Sequence, residues 1–541
     1  MEIGLHEDVK TYSGGLGILA GDTLRSCADK GIKAVATTLL YKKGYFKQII
    51  QDTWQTEQDE PWNYEDFLIP FTEHKINIQL EGRNVTIQPW VGIIVGAEKD
   101  LIPIIFLDSD LDENDEADKN LTNHLYLTGQ ENRLKQEAIL GIAGKRVLKK
   151  FNLTNIDVYH MNEGHAALAP MEDVVSINKH FNYPTEQVKK LVENTHVFTT
   201  HTPVPAGHDK FSHDMIKKVL SEEDIDWKCL QVGSSDEVNM THLAMNMSRY
   251  INAVAKKHGE VSKKMFPNQD IDYVTNGIHL PTWLDKNMQE LYDNKMPGWR
   301  KKPDILKQAE ELLKTDEVWQ AHQKAKKSLI QHVKNRTGED LDVNTLTIGF
   351  ARRFATYKRA NLMFKNIEKF KEVMGGKVQI LFAGEAHPAD HAGKEIIQDI
   401  LNKKKELQDT VKIVFIENYD IETGRRLVSG CDIWQNNPIP PKEASGTSGM
   451  KAVANGVPNL STLDGWWIEG VAMKPNSGWV IEGVDGNDHE SLYKQYADII
   501  KTYYEKPEKF KKKMIKSICL ASFFNTHRMV DEYRDRAWIV K

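Results

Sequence analysis

Residues Glu443 to Gly456, EASGTSGMKAVANG, place a lysine directly behind a run of small and hydroxylated residues. The small side chains from Ala444 to Gly449 let a ligand come close to the backbone. Ser445, Thr447 and Ser448 add hydroxyl donors. A helix starting here turns its free amides and the positive end of its dipole toward an anion such as a phosphate. Lys451 follows within reach of the same point. A lysine beside a phosphate cup is what pyridoxal phosphate chemistry requires: the amine forms a Schiff base with the aldehyde, and the cup holds the phosphate. The competing reading is a Gly/Ser loop with a solvated Lys451, and the residues alone favour it. No Gly-Lys-Ser/Thr occurs, so the phosphate loop of NTPases does not fit.

A second cluster, GFARRFATYKRANL from Gly349 to Leu362, presents Arg352, Arg353, Lys358 and Arg359. Arginine offers a planar fork for phosphate oxygens and lysine a point charge. A solvated helix start is the usual fate of such a run. Its position directly after an apolar strand favours an anion site instead. Tyr12 to Asp22, YSGGLGILAGD, reads as a glycine loop opening a helix, for which tight-turn packing is the ordinary explanation. Shorter pieces carry His165 (MNEGHAALAP), His201 (TTHTPVPAGHD), and Asn276 and Trp283 (VTNGIHLPTW). Taken singly they are structural histidines and an Asn-Gly turn. Trp466 and Trp467 read as core, and His387 as a cation near a phosphate.

The elements that must position these residues alternate. Apolar runs at 102–107, 156–160, 196–199, 346–350, 378–382 and 411–416 predict buried strands, and 132–151 and 362–373 predict helices. Such alternation implies parallel sheets covered by helices, with ligands beyond the carboxyl ends of the strands. A polar stretch at 335–344 marks a domain boundary.

Of the 541 residues, 71 are basic and 77 acidic, a net charge of −6 that gives no global reason for a nucleic-acid or membrane partner. Four cysteines, none in a CxxC pair, suit a reducing compartment and offer no zinc site, so no metal is expected. With no signal peptide and no apolar run of about 20 residues, the chain reads as cytoplasmic.

EASGTSGMK, with NNPIPPKEASG before it and NGVPNLSTLDGWWIEG after it, resembles the cofactor-lysine segment of the glycogen and α-glucan phosphorylases. The likeness is greater to the short microbial branch. Animal members have Gly-Asn where this chain has Ser448 and Gly449, and they lack the tryptophan pair. The basic cluster, the glycine loop, the three shorter pieces and RLKQE (Arg133 to Glu137) match the same family in collinear order.

The resemblance implies an α/β fold of two Rossmann-like domains facing across a cleft, the GT-B arrangement. Residues 1–335 form the first domain and 336–515 the second, with 516–541 crossing back. It implies pyridoxal 5′-phosphate as cofactor. Lys451 would be its Schiff-base lysine, Thr447, Ser448, Arg352 and Gly15 would meet its phosphate, and Trp283 would pack beside it. Arg353 and Lys358 would bind the reacting phosphate. Gly14, Leu16, His165, His201, Asn276, Tyr357, Glu443, Ser445 and Gly446 would meet the glucan. The implied reaction is phosphorolysis of α-1,4-glucan to α-D-glucose 1-phosphate with retention, using glucan and inorganic phosphate as partners and allowing a homo-oligomer. A nucleotide-sugar glucosyltransferase of the glycogen synthase type would need a base pocket and no lysine imine; an inactive glucan-binding relative would need neither the lysine nor the basic cluster. In the family, the segment matching Met1 to Leu5 continues an apolar strand, so a gap or exposed sheet edge is expected near residues 1–5, with Glu2, at a sugar-contacting position, poorly held.

Overall fold

The structure, a computed structural model, describes residues 1–181, 183–204, 207–220, 225–230, 236–483 and 487–539. It is a mixed α/β chain with parallel sheets. Two units account for its packing: residues 1–46, 59–275 and 529–541, and residues 47–58 and 276–528.

The second unit is built on six strands: β1 (Leu346–Ala351), β2 (Val378–Ala383), β3 (Lys412–Ile416), β4 (Ile433–Asn436), β5 (Asn459–Thr462) and β6 (Trp479–Ile481). All pair in parallel, in the order β3-β2-β1-β4-β5-β6. This is the doubly wound order, in which the winding reverses between the first and fourth strands. β1, β2 and β4 are buried along their whole length, which is why they read as continuous apolar runs instead of alternating ones. Gly349 lets β1 and β4 close up, because a Cβ there would lie 3.1 Å from the Trp434 ring of β4 and 2.6 Å from Cys431 Sγ just before that strand.

The crossover helices start at polar caps. Asn366 accepts from Lys369 N at the Ile367–Met374 helix, Asp390 from Gly393 N at His391–Glu406, and Asp420 from Thr423 N at Ile421–Gly430. Each cap satisfies amides that the first helical turn leaves over. The Thr447–Ala454 helix, between β4 and β5, has no side-chain cap and starts from Gly446 at φ +86°. The long Thr315–Thr337 helix also packs in this unit and stops at left-handed Gly338. Sequence alone puts the domain boundary near residue 335; the packing divides after Thr275.

A hairpin of Lys47–Gln51 and Trp54–Gln58 belongs to the second unit although its flanks belong to the first. Its buried Gln48 and Gln55 reach backbone groups at Gly384, Ala386 and Asn418.

The first unit holds two larger sheets. Leu101–Asp108 pairs in parallel with Ala36–Leu39 and antiparallel with Arg83–Val95, which also pairs with Ile69–Pro70 and Ile76–Leu80. The other sheet is parallel, in the order Ile271–Tyr273, Tyr250–Ala253, His196–Thr199, Tyr159–Asn162. Leu39, Ile105 and Leu107 share one core with Met161, Phe198 and Ile251. Residues 1–5 join neither sheet; Met1 to Gly4 are buried, and the Met1 carbonyl accepts from Thr38 Oγ1 at 2.7 Å and Tyr41 OH at 3.1 Å. Glu2 is buried and fully engaged, contrary to the expectation of a loose side chain. Ala36–Leu39 and Tyr159–Asn162 are edge strands of their sheets. The C-terminal end returns to this unit: Tyr533 meets Asn252, and Arg249 Nη2 donates to Ala537 O at 2.6 Å.

Candidate active site

At the switch point β1 runs into Arg352 and β4 into Asn437, so the basic cluster and the small-residue loop leave adjacent strands. Arg352 Nη1 donates to Asn436 Oδ1, and Arg352 Nη2 to Glu443 Oε2 at 2.7 Å. Lys358 Nζ donates to the same carboxylate oxygen, also at 2.7 Å. All three groups have little contact with solvent. Burial, then the Arg352 charge, lowers Lys358 to about 7, with Glu443 opposing. Burial alone would raise the Glu443 carboxyl, but Arg352 and Lys358 outweigh it and hold it at about 2. The Lys358 amine also lies 4.5 Å from the centre of the Tyr357 ring.

Asp464, just past β5, holds the Glu443 backbone in place. It accepts from Glu443 N at 2.8 Å and Gly465 N at 2.9 Å, and burial pushes it up to about 6 against those bonds. Gly465 has φ +51°, and a Cβ there would lie 2.3 Å from Ser445 O.

Lys451 lies in the Thr447–Ala454 helix and is 7 % exposed. Its Nζ sits 3.4 Å from the centre of the Trp283 ring, a cation–π contact. Asn455 donates to both Trp283 O and Lys451 O at 2.9 Å, fixing the tryptophan against this helix. Ser448 Oγ accepts from Trp434 Nε1 at 3.1 Å, which leaves its own O–H to donate. Gly449 touches Trp466 and Asn459: a Cβ there would lie 2.4 Å from Asn459 Oδ1 and 3.0 Å from the indole. Ser445 Oγ, Arg352 Nε and Asn276 Oδ1 are buried with no hydrogen-bond partner. Buried polar atoms are nearly always paired, so these mark places where a ligand's polar groups belong.

The donor set fits pyridoxal phosphate. It offers a buried amine against an aromatic face, an uncapped helix N-terminus with two hydroxyls in its first turn, and the unpaired Ser445 Oγ just before that helix.

Of the other sequence-predicted residues in this unit, Arg353 is exposed, Tyr357 is half-buried, and Asn276 is buried with its carbonyl accepting from Arg528 Nη2. Burial, then Arg353, lowers His387, which disfavours the cation expected from sequence. Trp466 and Trp467 are buried, as core residues.

In the first unit, Gly15 opens the Gly15–Asp29 helix and is exposed; Leu16 is half-buried. Glu2 Oε2 accepts from Ser13 N at 2.7 Å and Gly14 N at 3.1 Å, so the Gly14 amide is already engaged. His165 is buried with Nε2 2.8 Å from the Met1 amine. His201 N donates to Glu163 at 2.8 Å, its Nε2 lies 2.5 Å from Asn162 Oδ1, and burial lowers it to about 3.

Sequence reasoning missed Asn436 and Asp464. The one signal for Asp464 was its place in the Asp-Gly pair with Gly465, shortly after the Asn459–Thr462 strand.

A family model for carbohydrate phosphorylases matches residues 4–91 and 223–494. The chain belongs to the carbohydrate phosphorylase family. It is 39 % identical to the maltodextrin phosphorylase of Thermococcus litoralis, over 99 % of this chain and 69 % of that protein. Identity to the glycogen phosphorylase of Aquifex aeolicus is 34 %, over 98 % of this chain and 84 % of that protein. For the glycogen phosphorylase of Mycobacterium tuberculosis it is 32 %, over 90 % and 62 %. Membership makes this a phosphorylase-family enzyme of carbohydrate metabolism. Among the described residues no helix is long and apolar enough to cross a membrane.

Proposed function

We propose that this enzyme is an α-1,4-glucan phosphorylase of the GT-B class, acting on maltodextrin or glycogen with inorganic phosphate, with pyridoxal 5′-phosphate held at Lys451. The observation that carries this reading is the buried Lys451 amine on the Trp283 face, one turn into an uncapped helix. A nucleotide-sugar transferase has no use for that lysine.

When bound, the cofactor supplies a phosphate able to exchange a proton with the substrate phosphate. Everything else is the chain's own work. Lys451 anchors the group. Thr447, Ser448 and the first-turn amides hold its phosphate. Arg353, exposed and next to Arg352, receives the inorganic phosphate with Lys358, and their charge stabilises the anion as the glycosidic bond breaks. Glu443, Ser445, Gly446 and Asn276 orient the glucosyl hydroxyls. No hydrolase-type carboxylate pair is used; the phosphate held by Arg353 and Lys358 captures the glucosyl unit on the face the glucan leaves, so configuration is retained.

Purified protein should show a near-ultraviolet absorbance band, and borohydride should fix the label on Lys451 in peptide maps. Incubation with maltodextrin and phosphate should release glucose 1-phosphate. Label on another lysine overturns the cofactor assignment, and free glucose as the product overturns the reaction.

A further inference from the structure

We infer that Gln48 and Gln55, from the Lys47–Gln58 hairpin, are positioning residues for the arginines Arg352 and Arg353, acting through the backbone that follows β2. The inference rests on the phosphate role proposed above.

The hairpin lies about 300 residues from the basic cluster in sequence, yet belongs to the same unit. Gln48 is 1 % exposed and Gln55 0 %, an unusual fate for glutamine. Both side-chain amides are fully used. Gln48 Nε2 donates to Gly384 O and to Gln55 Oε1, each at 3.0 Å. Gln48 Oε1 accepts from Asn418 N at 3.2 Å, and Gln48 N donates to Asn418 Oδ1 at 2.7 Å. Gln55 treats Ala386 as a strand neighbour would: its Nε2 donates to Ala386 O at 2.9 Å, and its Oε1 accepts from Ala386 N at 3.0 Å. Glu57 adds an ion pair to Lys394 at 2.7 Å.

The gripped segment, Gly384 to Ala386, is the support on which the basic residues lie. Arg352 N donates to Ala383 O at 3.1 Å and Phe354 N to Glu385 O at 2.9 Å, and Phe354 bridges to Ala386. Gly384, at φ +123°, is pressed so close that a Cβ would lie 2.1 Å from Arg352 O. One side of this ribbon therefore holds the arginine backbone and the other is held by two glutamines. Cutting the glutamine bonds leaves buried backbone groups of Ala386 or Gly384 unpaired, and the ribbon must move to reach water. The arginines then lose their fixed aim, and a misplacement of about 1 Å is enough to cost phosphate recognition.

The test compares Gln55→Leu and Gln48→Ala with Arg353→Ala, all as the full chain loaded with cofactor. The Gln variants should raise the phosphate KM about tenfold, as orphaned backbone bonds imply, with the glucan KM nearly unchanged. Amide hydrogen exchange should accelerate at Arg352 to Phe354 as well as in the hairpin. Should Gln55→Leu fail to fold, Gln48→Ala, which leaves Ala386 paired, carries the same comparison. The inference is overturned if Arg353→Ala abolishes phosphate use while the Gln variants keep the wild-type phosphate KM and the protection at 352–354. If Arg353→Ala leaves phosphorolysis intact, the phosphate reading itself has failed, and exchange at 352–354 still decides whether the glutamines hold this backbone.

Discussion

Replacing Glu443 with Gln keeps the shape of the side chain and removes the carboxylate that Arg352 and Lys358 share. The carboxyl sits at about 2 against an ordinary 4.5, so the two cations favour its charged form by about 3 kcal/mol net of burial. Interaction between titrating groups is mutual. If Lys358 supplies about half of it, Glu443→Gln lowers the Lys358 pKa by about one unit. Lys358 starts at about 7, so at pH 7.5 about a quarter of it is charged, and one unit lower leaves about 3 %. The phosphate KM of Glu443→Gln relative to wild type should therefore rise about eightfold at pH 7.5, but by less than about twofold at pH 5.5, where both lysines are charged. The ionisation of phosphate itself cancels in this ratio, and any lost contact with glucan, which does not depend on pH, scales the ratio equally at every pH and leaves its rise from pH 5.5 to 7.5 unchanged. Initial rates of phosphorolysis against phosphate concentration, from pH 5.5 to 8, measure it. A ratio that stays flat across this range, or falls with pH, refutes the idea that Glu443 keeps Lys358 cationic.

Burial lowers His160, His196, His208 and His258 to about 4. A depressed folded pKa gives stability that is complete above about 6.5 and is lost as pH falls toward 4, so the melting temperature should drop steeply across that window; a flat profile from pH 7 to 4.5 contradicts it. Gly449→Ala should destabilise by about 1–3 kcal/mol through the Asn459 and Trp466 contacts. Trp466→Phe in the same background should restore part of this in a double-mutant cycle read by chemical denaturation, and strict additivity would show that the indole is not the obstacle. Asn366→Ala should cost about 1 kcal/mol by uncapping the Ile367–Met374 helix, checked by the same denaturation assay.

Buried parallel strands were the most legible part of the sequence. His196–Thr199 begins and ends as its apolar run does, and β1, β2 and β3 differ from theirs by one residue. The run at 156–160 forms its strand later, at Tyr159–Asn162, because Tyr159 is where its partner His196 becomes available. The run at 362–373 splits into a turn at Leu362–Phe364 and a helix from Ile367, since Asn366 caps the second piece. The antiparallel ladder of Ile76–Leu80 and Arg83–Val95 was missed, although its two-residue turn, Glu81-Gly82 at φ +50° and +75°, is a hairpin signal. At the site, the small-residue loop and the basic cluster were readable as types. Their joining was not: Lys358 and Glu443 are 85 residues apart, and no periodicity announces such a pair.

The order in which a ribosome delivers the chain gives the two units different fates. The first unit includes residues 529–541. Met529 and Tyr533 fill a core with Leu19, Val197 and Val274, and Val530 fills another with Cys27 and Ile102. Those sockets are finished early but stay empty while the next 250 or so residues are made, roughly ten to fifty seconds of synthesis. During that interval the nascent first unit shows apolar surface that residues Met529 to Trp538 later cover. The second unit is in the opposite position, with its hairpin waiting from the start for the strands that will receive it. A chain stopped a few residues short of its C-terminal helix would therefore lose the older half, not the newer one.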